Sequence, residues 1–104
     1  MRKVTKQIAE ALANGKNKSI GNTATFDGKV YLHGNKIAEW KENELYMCLA
    51  NWNTPTTRER LNGIAEHFGL NVSFNQKNYN PYLNGKSINS NEWFNVSQLH
   101  KQTI

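Results

Sequence analysis

Residues able to do chemistry are densest in the stretch NWNTPTTRERLNG, residues 51–63. Arg58 and Arg60 follow directly on Thr56 and Thr57, behind Pro55, with Trp52 just upstream. If a helix starts here, its free amides, the threonine hydroxyls and the two guanidiniums would form a cradle for a phosphate or carboxylate. Unpaired N–H groups and the positive end of the helix dipole both favour an anion at that place. The same residues also have a purely structural reading. Thr56 with Glu59 three positions later is a capping box, in which the hydroxyl takes an orphan amide and the carboxylate reaches back. Pro55 then fixes the approach, and Gly63 is a helix glycine costing about 1 kcal/mol against alanine. That reading leaves Trp52, Arg58 and Arg60 without a duty.

Other chemistry finds little footing. His33, His67 and His100 are the only histidines and fall on different expected elements, with no HxxxH spacing to bring two onto one helix face. The single cysteine, Cys48, lies in LYMCLA, where a small buried thiol is the ordinary outcome, and no disulfide can form within the chain. Glu39, Glu42 and Glu44 surround a turn and read as a solvated hairpin end. There is no GxSxG elbow and no phosphate loop. The sequence thus predicts no catalytic residue, no metal site and no cofactor: a binder and not an enzyme.

Charge points the same way. Thirteen Lys and Arg against eight Asp and Glu give a net charge of +5, and the isoelectric point is near 9.5. The excess lies before residue 42, where Arg2, Lys3, Lys6, Lys16, Lys18, Lys29, Lys36 and Lys41 face Glu10, Asp27 and Glu39; beyond it the signs balance. Such asymmetry suits contact with phosphate or an acidic protein surface. Aromatic side chains are numerous, and those that the core does not absorb could stack on bases beside the lysines. The segment NQKNYNPY, carrying Lys77 and Tyr79, is expected to be an exposed contact loop.

These side chains need elements to hold them. At 104 residues the chain predicts one domain over 1–104 with one modest core. Val4, Ile8, Ala11 and Leu12 recur at helical spacing and Gly15 supplies a stop, so a helix is expected there. A meander of three or four short strands follows, punctuated at Asp27-Gly28, Gly34-Asn35 and Glu42-Asn43, with Val30 and Leu32 facing the core and His33 bonding within its turn. Thr56 to Phe68 returns to helical period through Leu61, Ile64, Ala65 and Phe68, ending at Gly69. LNVSFNQ, the hairpin around Asn84-Gly85 and EWFNV give three further strands, and the tail SQLHKQTI is expected to fray. The fold class is α+β: an antiparallel sheet of short strands with two helices. No apolar run approaches the length that spans a bilayer, so no membrane is expected.

Asn22-Thr23, LHGNKIA at 32–38 and WNTPTTRERLNGI at 52–64 together resemble a pattern in a family of small phage-encoded proteins, written loosely as LHGN-x-IA followed by GW-x-T-x-TT-x-x-RLN. The resemblance covers about the first two thirds of the chain and brings no activity with it. Asn51 stands where that pattern commonly has glycine. What the resemblance implies is a virus-encoded accessory protein acting in the host cytoplasm.

Two functional readings follow. In the first, a basic face binds nucleic acid or a host nucleoprotein complex, with Lys3, Lys6, Lys16, Lys18, Lys36, Arg58 and Arg60 on phosphates and Trp52, His33, Thr56, Thr57, Lys77 and Tyr79 completing the contact. In the second, the same face docks on an acidic host protein as an inhibitor of a host or defence factor. A homodimer without other partners is the third expectation.

Overall fold

The computed structural model describes residues 1–103. The helical spacing near the amino terminus gives α1 (Lys3–Ala13), which buries Ile8, Ala9 and Leu12. It ends as expected at Gly15, whose φ of +66° lets the chain turn back while Lys16 N–H donates to Ala11 O at 2.9 Å.

Five strands follow: β1 (Lys18–Ile20), β2 (Thr23–Phe26), β3 (Lys29–Leu32), β4 (Asn35–Lys41) and β5 (Glu44–Met47). Each pairs antiparallel with the next. Val30 and Leu32 point into the core, as the alternation predicts. Alternation fails on β4, where Ile37 and Ala38 are both buried. The register explains this: Ala38 pairs with Val30 and Lys36 with Tyr31, so Ile37 is an extra residue in a β-bulge. The turn before β4 also falls one residue earlier than expected, on His33 (φ +51°) and Gly34 (φ +81°), leaving Asn35 free to begin the strand.

The second long helix, α2 (Pro55–His67), packs Leu61, Ile64 and Ala65 on α1 and the sheet. Gly63 is more than a tolerated glycine. A Cβ there would run into the Thr5 Cγ2 methyl and stand 3.0 Å from Met1 Cγ, so its bare backbone sets how closely the two helices approach.

Three expectations need correction. The later strands do not all join one sheet: β6 (Phe74–Lys77), β7 (Asn80–Leu83) and β8 (Lys86–Ser87) form a separate three-stranded sheet, and only β9 (Phe94–Asn95) joins the large one, beside β5. Residues 70–73, expected as strand, are irregular. Residues 97–102 of the tail do not fray, and its last residue, Ile104, lies outside the described residues; among the described residues the helices therefore number three: α3 (Val96–Gln102) buries Val96 completely. A local cap and two polar bonds to distant residues hold it. Asn95 caps it by accepting from Gln98 N–H at 3.0 Å, Ser97 Oγ accepts from Leu45 N–H at 2.9 Å, and His100 Nδ1 accepts from Asn71 N–H at 2.8 Å. Such bonds leave no periodic signal in the sequence.

Candidate functional site

The start of α2 is built two residues upstream of the expected cap. Thr54, in extended backbone, is the N-cap and its Oγ1 accepts from Thr57 N–H at 3.2 Å. Pro55 takes the first helical position, where a missing N–H is harmless and its fixed φ is already helical. The capping box of Thr56 and Glu59 does not form. With Pro55 lacking an amide and Thr57's amide spent on Thr54, Thr56 N–H is, among the described residues, the one donor without a partner in the first three helical positions. An anion would find a single amide here, so the expected phosphate cradle loses most of its basis.

The two arginines have opposite fates. Arg60, expected on a phosphate, is 4% exposed. Its guanidinium donates to Thr23 Oγ1 at 2.9 Å, to Thr5 Oγ1 at 3.1 Å and weakly to Asn22 Oδ1, and it pairs with the Glu59 carboxylate. It therefore ties α2 to α1 and to the β1–β2 turn. Glu59 also accepts from Thr5 Oγ1 at 2.5 Å and Arg2 N–H at 3.2 Å. Burial alone would push its carboxyl up, but these donors and the Arg60 charge outweigh burial and hold it below the usual carboxylate range. Arg60 is a structural cation and leaves the contact set. Arg58 points the other way. It donates to Asn53 Oδ1 at 2.5 Å and Gln76 Oε1 at 3.4 Å and has no carboxylate partner among the described residues.

Between the start of α2 and the His33-Gly34 turn opens a cleft of about 260 Å³. Leu32 and Ile37 form its apolar floor, the latter turned inward by the β4 bulge. Trp52, 56% exposed, forms a wall. His33 and Asn35 line one side, and Thr54, Thr56 and Thr57 the other. Every one of these residues falls in one of the two sequence blocks 32–38 and 52–64 that carry the phage-protein resemblance. Those blocks are the two sides of one cleft.

Trp52 is held by a tight turn in which Ala50 (φ +54°) and Asn51 (φ +66°) both adopt left-handed backbone. Trp52 N–H donates to Leu49 O at 2.9 Å, Asn51 N–H to Ser90 O at 2.8 Å, and Ala50 N–H to Cys48 Sγ at 3.2 Å. Asn51 is of a type that tolerates left-handed backbone better than most residues other than glycine. Ala50 has no such ease and stores strain beside the cleft. Cys48 is the buried thiol foreseen from its surroundings; burial pushes it up, against a smaller lowering by the Ala50 N–H.

Asn53 extends the site sideways. Its Oδ1 holds Arg58 while its Nδ2 donates to Tyr79 O at 3.3 Å. Tyr79 sits in the β6–β7 turn with φ +66° and is 89% exposed; Lys77 ends the preceding strand, also exposed. Trp52, Arg58 and Tyr79 thus share one rim around Asn53, which no sequence signal singled out, whereas Lys77 follows Gln76 on β6 and by strand alternation falls on the opposite face from the residue that meets Arg58. The remaining expected residues lie elsewhere. Lys36 pairs with Glu39 at 3.1 Å and lies 5.3 Å from the Trp93 ring centroid. Lys16 and Lys18 line a separate polar depression with Glu10 and Asn14, at the β1 edge of the sheet.

A profile of the family described as Kyanoviridae Gp96 protein matches residues 1–101. No curated protein and no solved structure matches the chain. Among the described residues no helix is long and apolar enough to cross a membrane.

Proposed function

We propose, for a chain that belongs to the Kyanoviridae Gp96 family of phage proteins, a non-enzymatic accessory role in the host cytoplasm: binding nucleic acid, free or in a nucleoprotein complex, through the Trp52 cleft and its rim. The observation that carries this reading is the rim itself. Two exposed aromatics flank Asn53, which bonds the guanidinium of Arg58: Trp52 precedes it in the chain, and the Tyr79 backbone carbonyl accepts from its side-chain amide. Aromatic faces stack on bases while unpaired cations meet phosphates. The contact is narrower than the broad basic face the sequence suggested, because Arg60 is internal, Lys36 is paired, and Lys16 and Lys18 sit apart. Binding to a mixed DNA and RNA pool, followed by anisotropy across a salt series, tests it. Affinity falling steeply with salt supports the reading; no binding at low salt, or a flat salt response, removes it.

One observation favours a second reading. Exposed Trp and Tyr beside Arg are the residues that most often anchor protein interfaces. An inhibitor of a host or defence protein would use the same rim. Pull-down from nuclease-treated host lysate separates the two: a retained single protein favours the inhibitor, and loss of everything after nuclease favours nucleic acid.

A further inference from the structure

We infer that the cleft beside Trp52 receives one unstacked nucleobase, so that the protein selects unpaired strands over duplex; this rests on the nucleic-acid reading above. Size is the first ground. The cleft, about 260 Å³, lies just below the roughly 300–1,000 Å³ of sites that enclose whole drug-sized ligands, which fits one ring system with its chain left outside. Its chemistry is the second. No lining side chain is a carboxylate, lysine or arginine. A charged group would therefore be poorly served inside, whereas Arg58 on the rim can meet the backbone to which a base is attached.

The third ground is hydrogen-bonding capacity that the fold leaves unspent. Among the described residues, the His33 imidazole, the Asn35 side-chain oxygen and the Thr56 hydroxyl and amide find no partner. Thr54 and Thr57 share one hydroxyl–hydroxyl bond of 2.9 Å; Thr57 is fully buried, so the arrangement that satisfies its proton has it donate to Thr54 Oγ1 and leaves the Thr54 proton for another acceptor. Donors and acceptors thus converge around an apolar floor and an indole wall. A nucleobase edge offers both kinds of partner, and its face offers a surface for Trp52. The aromatic side chain of a partner protein would leave most of those polar groups unpaired on burial. A base still paired and stacked in a duplex cannot present its face and edge to such a cleft.

Three labelled probes test this by anisotropy: a single strand, its duplex, and the same strand with abasic sugars carrying equal phosphate charge. The single strand should bind about tenfold more tightly than either other probe, the scale of one base–aromatic stack. Trp52→Ala and Thr56→Val, both at the cleft and each checked for folding by NMR, should bring the single strand down to the abasic level. Equal affinity for all three wild-type probes would overturn the base pocket yet leave the charge-based reading standing. Absence of binding to any probe at low salt would overturn both. Free nucleosides should shift the amide resonances of His33, Asn35 and Thr56; shifts produced only by N-acetyl-tyrosinamide would mean that the cleft takes a protein side chain, and would overturn the inference.

Discussion

Replacing Arg60 by alanine is the sharpest test of which arginine is structural. The guanidinium is 4% exposed and is the only cation paired with Glu59 among the described residues. Its loss strips a donor from Thr23 Oγ1, which would keep only its own bond to Asn22 Oδ1 at 2.7 Å. Removing one member of a buried ion pair costs about 3–5 kcal/mol. Glu59 is 21% exposed and retains Thr5 and Arg2 as donors, which places the cost at the low end, about 3 kcal/mol. Against a total stability of roughly 5–15 kcal/mol that is a large fraction. With a urea slope of about 1.5 kcal/mol/M, the midpoint should fall by about 2 M at unchanged slope. Arg60→Lys should recover little, because an ammonium cannot reproduce the planar fork that serves Thr5, Thr23 and Glu59 together. Arg58→Ala, whose partners are side-chain amides at the surface, should cost about 1 kcal/mol or less. The reasoning fails if Arg60→Ala unfolds within about 0.5 kcal/mol of wild type while weakening nucleic-acid binding as Arg58→Ala does.

Gly63→Ala should destabilise although alanine is the better helix former: the gain of about 1 kcal/mol in propensity is outweighed by overpacking of roughly 1–3 kcal/mol against the Thr5 methyl, and Thr5→Ser, which removes that methyl, should rescue it in a double-mutant cycle of urea melts. Ala50→Gly should raise stability by about 0.5–1 kcal/mol in the same assay by relieving the left-handed alanine; a loss would show that the turn is not strained. Because the folded-state carboxyl of Glu59 lies below its unfolded value, the stability it contributes is complete above about pH 4.3, the ordinary value for a glutamate, and is lost as pH falls through the folded value. Urea midpoints measured down an acid series should therefore fall less steeply for Glu59→Gln than for wild type, and equal slopes would remove Glu59 as the cause.

Much of the scaffold was legible because it rests on local rules. Helical spacing in Ile8 and Leu12, strand alternation in Val30 and Leu32, and turn pairs such as Asn84-Gly85 each depend on neighbours within a few residues. The misses share the opposite cause. α3 is held by Leu45, Asn71 and Glu44, all distant in sequence, and the bulge at Ile37 appears only when β3 and β4 are in register. The cap moved because Thr54, Thr56 and Thr57 can all cap, and only Pro55's preference for the first helical position chooses among them.

Arg60 shows where helical spacing stops deciding. It lies three residues after Thr57 and four before Ile64, on the buried side of α2, but Arg58 lies three before Leu61, so helical spacing alone leaves both arginines beside the stripe. An arginine that turns inward must find partners, and Glu59 beside it, with threonines on two other elements, supplies them. The partners, and not the spacing, divide the two arginines: Arg60 meets a carboxylate and threonines, Arg58 only surface amides. The same consideration bears on the cleft. Once Arg60 turns inward and Pro55 and Thr54 use up the helix start, the polar groups left open are hydroxyls, an amide oxygen and an imidazole, set around Leu32 and Ile37. Anion recognition then has to come from the rim, through Arg58, and the cleft itself is suited to a flat uncharged ring.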